Sequence, residues 1–232
     1  MVIARFLART GLVLAIVAAS ACASAPAPVA SPPSAPGPGL PVATGEQHLF
    51  RLTYDGGEGR ASLRVVLRTT STDRYQVGVS DVAGRKVWAL DYSATRSVLV
   101  DHREKTFCVS GPDLRLSEVH PDELPLSALP RVLRGELPIE TDSDALEAAG
   151  GAGYLDTAGR KWKATLEAGV LASWTLSDGE GPSVWWIRQG DGGILSRRGG
   201  EQYRWSRIVS EPTDEPLADI VPEGFREGFC GD

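Results

Sequence analysis

The chain has 232 residues, a formal net charge of −6, 42% hydrophobic residues and 23% charged ones. An acidic chain with no run of Lys or Arg argues against nucleic acid as a partner, and it offers no basic patch to anionic lipid headgroups. The apolar stretches are shorter than the ~20 residues a spanning helix needs, whereas the length allows one ordinary core.

The first element is a leader. Arg5 and Arg9 precede the apolar run from Gly11 to Ala19, and the small residues Ala19-Ser20-Ala21 then meet Cys22. A positive start, an apolar middle and a small-residue cleavage site make a secretory signal over residues 1–21. With cysteine at the first mature position it resembles a bacterial lipoprotein signal, which implies lipidation of Cys22. The alternative is an ordinary signal with Cys22 incidental. Ala23, where an Asp would imply inner-membrane retention, favours the outer membrane by the same resemblance. Several acyl chains on one cysteine anchor a protein, each buried CH₂ contributing about 0.8 kcal/mol. Loss of Arg5 and Arg9 takes the charge from −6 to −8. Residues 22–44 are almost all Ala, Pro, Ser and Gly after the cysteine, a composition that makes a tether and no core.

From residue 45 to 232 a single domain is expected, and it starts with period-two patterning. Ala61, Leu63, Val65 and Leu67 share one face against Arg60, Ser62, Arg64 and Arg68; Tyr75, Val77 and Val79 oppose Arg74, Gln76, Gly78 and Ser80. Such alternation predicts half-buried antiparallel strands. Asp55–Gly59, Ser71–Asp73 and Asp81–Gly84 punctuate them as turns. Strands continue at Arg85–Tyr92, Arg96–Asp101 and Lys105–Ser110, so the first half is a meander. Leu126, Leu129 and Leu133 then recur at helical spacing; Ser127 is the expected cap, Pro130 falls in the first turn and Gly135 ends the helix. Asp142–Ala149 is a second helical candidate.

Strands resume with Trp162, Ala164 and Leu166, then Ala172, Trp174 and Leu176, each alternating with polar residues. Ser183–Arg188, Gly193–Arg198 and Gln202–Val209 bring the expected total to about eleven strands, and the acidic, Pro-containing tail after Ser210 reads as a loop. Cys108 and Cys230 are the thiols left beyond Cys22. In an oxidising compartment they suggest one disulfide, against the alternative of a buried thiol and a free terminal one.

No G-x-S-x-G elbow, P-loop or H-E-x-x-H motif occurs, and His48, His102 and His120 have no metal-ligand spacing. The expectation is a binding protein, not an enzyme, with no cofactor and no metal. His102-Arg-Glu-Lys105 reads as a solvated hairpin turn. What remains is one apolar, aromatic face of a long antiparallel sheet, carrying Trp88, Trp162, Trp174 and Trp186. A sheet of this length curls, and its concave side is filled by side chains, by a plugging helix or by a ligand.

Three stretches carry a family resemblance: Asp73–Gly84, Ser97–Asp101 and Pro125–Gly135. With their order along the chain and the amino-terminal cysteine, they make residues from about Glu46 to Val209 resemble a divergent member of the LolA/LolB-like half-barrels, LolB being the outer-membrane lipoprotein receptor. The resemblance implies a mainly β fold with short helices, an unclosed half-barrel with a helical lid or plug. It implies a function too: receiving lipoprotein acyl chains from a periplasmic carrier resembling LolA and inserting the cargo at the outer membrane. It further implies an insertion loop at Asp81–Gly84, where Val82 and Ala83 stand in place of the family's usual Leu. The expected cavity wall is Leu63, Val65, Leu67, Tyr75, Val77, Val79, Trp88, Trp162, Leu166, Trp174 and Trp186. The alternative is a structural or sensory envelope lipoprotein whose half-barrel, filled by its own side chains, binds a protein partner by an edge strand.

Overall fold

The computed structural model describes residues 45–57, 59–71, 73–112, 114, 123–139, 153–155 and 159–230. The leader, Cys22, the tether and the helical candidate at Asp142–Ala149 lie outside them. The strands are β1 (Gly45–Gly56), β2 (Gly59–Ser71), β3 (Arg74–Asp81), β4 (Lys86–Ser93), β5 (Arg96–Asp101), β6 (Thr106–Ser110), β7 (Gly153–Leu155), β8 (Lys161–Glu167), β9 (Val170–Asp178), β10 (Gly181–Gln189), β11 (Gly192–Arg197), β12 (Gln202–Thr213) and β13 (Arg226–Glu227). Among the described residues there is one α-helix, α1 (Leu129–Arg134), which follows a 3₁₀ turn at Leu126–Ala128.

All thirteen strands form one open sheet in the order β13-β6-β5-β4-β3-β2-β1-β12-β11-β10-β9-β8-β7. Two antiparallel meanders, β1 to β6 and β7 to β12, are joined where β1 pairs with β12 from Gly45↔Thr213 to Asp55↔Gln202. The result is a mainly β, unclosed half-barrel with a short helix. Two strands exceed the eleven read from the pattern. β7 is too short to show alternation, and β13 exists only through its parallel pairing with β6, Arg226↔Thr106 and Glu227↔Phe107.

Alternation decides which face is buried. Register aligns Phe50 with Val65, Val65 with Val79 and Val79 with Trp88. On the other meander it aligns Trp186 with Trp174, and Trp174 with Ala164. These side chains join one apolar cluster together with Leu126, Ala128, Val132, Leu133 and Leu137 of the connecting segment. β6 lies next to one edge of the sheet and β7 is the other edge, and of the chain between them the described residues 123–139 pack on the apolar face.

The helix differs from its expected start. Ala128, not Ser127, is its N-cap, without a side-chain bond, and Ser127 sits in the preceding 3₁₀ turn. The stop is as the pattern implied: Gly135 adopts φ 77°, a left-handed conformation that costs other residues more. The Glu136 amide donates to Arg131 O at 2.8 Å, closing the end.

The tail after β12 runs along the outer face. Gln76 Nε2 donates to Ala218 O at 2.6 Å, and Arg68 pairs with Glu215 at 2.9 Å. It then lies along β6, where the Gly228 amide donates to Phe107 O at 2.7 Å. A disulfide joins Cys108 to Cys230, with Cα atoms 5.2 Å apart and 122 residues between them in sequence. Closing so long a loop contributes about 3–5 kcal/mol in the chain-entropy account. Cys230→Ser should therefore lower the urea midpoint clearly and open residues 214–230 to proteolysis. An unchanged midpoint would show that the tail's other contacts suffice.

Candidate functional site

The eleven expected wall residues all belong to one apolar assembly. Val65, Leu67, Tyr75, Val77, Val79, Trp162, Trp174 and Trp186 are buried in it, while Leu63, Trp88 and Leu166 are half-buried at its margin. Phe50, Leu90, Tyr92, Leu195, Tyr203 and Trp205 stand on the same face and were missed. Their signal was present: Leu90 lies two residues from Trp88, and Trp205 two from Tyr203. A period-two count over β4 and β12 finds Leu90, Tyr92, Tyr203 and Trp205, while Phe50 and Leu195 lie on β1 and β11.

The space over this face is occupied by the segment around α1. Three side chains from separate strands hold it by its backbone. Tyr75 of β3 donates its hydroxyl to Leu126 O at 2.7 Å, Trp205 of β12 its indole N–H to Leu133 O at 3.0 Å, and Arg188 of β10 Nη2 to Gly135 O at 2.9 Å. In sheet order β3 and β10 are five strand spacings apart, ~24 Å if flat. The stretch from Leu126 to Gly135 spans only roughly 15 Å. The sheet must curl for both ends to be gripped, so the helix side is the concave side. Arg160 also donates to Glu123 O, and Arg197 lies 3.4 Å from the Glu123 carboxylate.

Tryptophans floor the second meander. Trp162 meets Trp174 edge-on with centroids 5.5 Å apart, and Trp174 stacks on Trp186 at 6.4 Å and 17°. The Arg188 guanidinium lies 5.5 Å above the Trp186 ring and donates Nε to Leu171 O at 2.6 Å. A Cβ at Gly193 would collide with Trp186 Nε1, so that glycine makes room for the indole. Among the described residues, the buried indole N–H groups of Trp174 and Trp186 have no acceptor. An orphaned buried donor costs about 1–3 kcal/mol.

A cavity of about 720 Å³ opens at the rim where β1 begins, bordered by Glu46, Thr69, Asp73, Pro130, Arg131 and Arg134 among others. Its border mixes these polar side chains with Pro125, Pro138, Ile139 and Pro212, and none of the expected wall residues reaches it. A second, of about 600 Å³, lies on the outer face under the tail and borders Gln76, Gly78, Ala89 and Ala218–Pro222. Val77, Val79 and Trp88 touch only this one. Among the described residues no group of His, Cys, Asp or Glu is arranged to hold a metal ion.

The turn after β3 is built by Asp81. Its carboxylate accepts from the Ala83 and Arg85 amides at 2.9 and 3.0 Å and pairs with the Arg85 guanidinium at 2.6 Å. The Arg85 amide, then its side chain, hold this carboxyl below its ordinary range. Val82 is thereby presented at 65% exposure, with Ala83 exposed beside it. His102 lies in the next turn on that side, against Phe225.

No family model matches the chain, and no curated protein matches it. Solved structures that it resembles include a LolA superfamily protein from Nitrosomonas europaea, at 8% identity over 76% of this chain and 89% of that one, TM-score 0.42. A DUF1329 family protein from Desulfovibrio piger matches at 10% identity over 77% and 89%, TM-score 0.47. A candidate outer membrane lipoprotein-sorting protein domain from Vibrio parahaemolyticus matches at 6% identity over 74% and 86%, TM-score 0.37. The half-barrel described above stands on this chain's own strand pairing.

His48 sits at the rim end of the concave face, buried, with Nε2 3.2 Å from Glu46 and Nδ1 unpartnered. Burial lowers its pKa, and the Glu46 carboxylate offsets this only in part. The unfolded chain therefore binds this proton first as pH falls, so stability should drop on acidification through the ordinary histidine range. Thermal unfolding measured between neutral and mildly acidic pH should show that slope, and His48→Gln should flatten part of it. An equal slope in the variant would place the effect elsewhere.

Proposed function

We propose that this protein is a lipid-anchored envelope protein of the LolA/LolB-like type, holding lipoprotein acyl chains on its concave face in exchange for the α1 segment. Cys22 carries the anchor at the periplasmic face of the outer membrane, and a soluble carrier resembling LolA donates the cargo. Leu63, Val65, Leu67, Tyr75, Val77, Val79, Trp88, Trp162, Leu166, Trp174 and Trp186 are the wall, and Val82 and Ala83 the insertion tip. No bond is made or broken in such a transfer.

The observation that carries the reading is how the α1 segment is held. A six-residue helix is marginal alone. With its flanking turn it contributes Leu126, Val132 and Leu133 to the cluster, and side-chain bonds to Leu126 O, Leu133 O and Gly135 O pin the segment. Its apolar side chains are what an acyl chain can replace, at about 0.8 kcal/mol per CH₂. Delivery then needs only that the bilayer hold the chain more strongly than the protein does. One observation favours the alternative of a structural or sensory lipoprotein: the concave face is already filled by Leu126, Val132 and Leu133.

Tryptophan fluorescence titrated with a fatty-acid analogue should show saturable binding. Tyr75→Phe, which frees Leu126 O, should raise the association rate several-fold, while Arg64→Ala on the outer face should change nothing. An unmodified protein without a saturable response would favour the structural reading.

The exposed tip gives a separate test. Exchanging Val82 for Leu adds about one CH₂, ~0.8 kcal/mol or about fourfold in partitioning. Val82→Leu should raise lipoprotein delivery to liposomes and Val82→Glu abolish it. Equal delivery by both would leave the loop a plain hairpin turn.

A further inference from the structure

The concave face satisfies its polar groups unequally. Tyr75, Trp205 and Arg188 each find a carbonyl of the α1 segment. Trp174 and Trp186, directly opposite each other on β9 and β10 and 1% and 0% exposed, donate to nothing. Trp186 fills the gap that Gly193 leaves, so packing accounts for its bulk; packing does not account for an N–H on each ring that meets no acceptor among the described residues. The N–H groups become favourable only when an acceptor is brought to them.

The surroundings define that acceptor. Indole donates and never accepts, so the partner must present lone pairs. Trp162, Leu176, Val184 and Leu195 surround the pair on the same cluster, so those lone pairs must arrive on an apolar body. A bare anion would lose its hydration among these apolar side chains, and the Arg188 guanidinium is already bound to Leu171 O and Gly135 O. A neutral carbonyl on a hydrocarbon chain meets every condition. Two donors on adjacent strands, one stacked on the other at 6.4 Å, suit two such carbonyls borne on neighbouring chains.

We propose that the indole N–H groups of Trp174 and Trp186 receive the ester carbonyls of a diacylglyceryl group, so that the concave face selects ester lipid over bare hydrocarbon. This rests on the acyl-binding reading above. In the present state the α1 segment lies against Trp186: a Cβ at Gly135 would be 3.4 Å from its Cζ2. Lifting that segment opens the site and frees the carbonyls it lent to Tyr75, Trp205 and Arg188.

The test compares dioctanoylglycerol with its dioctyl ether analogue, equal in chain length but lacking carbonyls, each displacing a bound fluorescent fatty acid from the mature protein. The ester should bind about tenfold more tightly, as two modest hydrogen bonds provide. Trp174→Phe with Trp186→Phe should bring that ratio near one, whatever it does to the affinity for either lipid alone. Trp185→Phe, an indole on the outer face, should leave the ratio intact. Wild-type protein that binds both lipids equally overturns the proposal without any variant, and so does a double variant that keeps the preference. Failure of both lipids to bind the wild type would instead overturn the acyl-binding reading itself.

Discussion

The rest of the molecule depends on the pairing of β1 with β12. That ladder fuses two meanders into one sheet and leaves β6 and β7 near opposite edges. A chain that must pass from one edge to the other has two faces to choose from, and one of them is apolar. The crossing segment lands there because burying Leu126, Val132 and Leu133 on that face removes hydrocarbon from water on both partners. Curvature follows from the same contact, since strands on both sides of the β1–β12 seam hold a short piece of chain.

The concave face is thus complete in apolar area and incomplete in hydrogen bonding. Its hydroxyl, one indole and one guanidinium are met by helix carbonyls, whereas two stacked indoles are left without acceptors. As a core alone, the face leaves these donors unmatched. Under the proposed exchange, an occupant other than the helix would bring acceptors to them while covering a similar apolar area.

The outer side is managed separately. An edge strand is a template for unwanted pairing. β6 is covered by β13, and the disulfide to Cys108 keeps that cover in place. The tail is tied earlier by Gln76 and Arg68, both on outward positions that the alternation of β2 and β3 dictates. Polar residues placed outward for solubility therefore double as the tail's anchors.

The strand positions in both meanders were legible from residue patterning, because a half-buried strand needs an apolar residue at every second place. So were the Gly135 stop, where a left-handed residue ends the helix, and the turn at Asp81–Gly84, where an Asp side chain and a glycine shape a hairpin. The eleven wall residues were legible as a face, since Leu63, Val65 and Leu67 or Trp162 and Leu166 cannot point two ways at once. Pairing across sequence was not. β13 has two residues and no pattern, and only the proximity of β6 makes it a strand. Ser127 looked like a cap, but it sits within the 3₁₀ turn, and Ala128 is the N-cap of a helix that starts at Leu129. Whether the aromatic face encloses a hollow or a helix also depended on the course of the chain from β6 to β7. Period two selects a face from local chemistry; what covers that face is chosen by contacts between residues far apart, and these exist only once the sheet has curled.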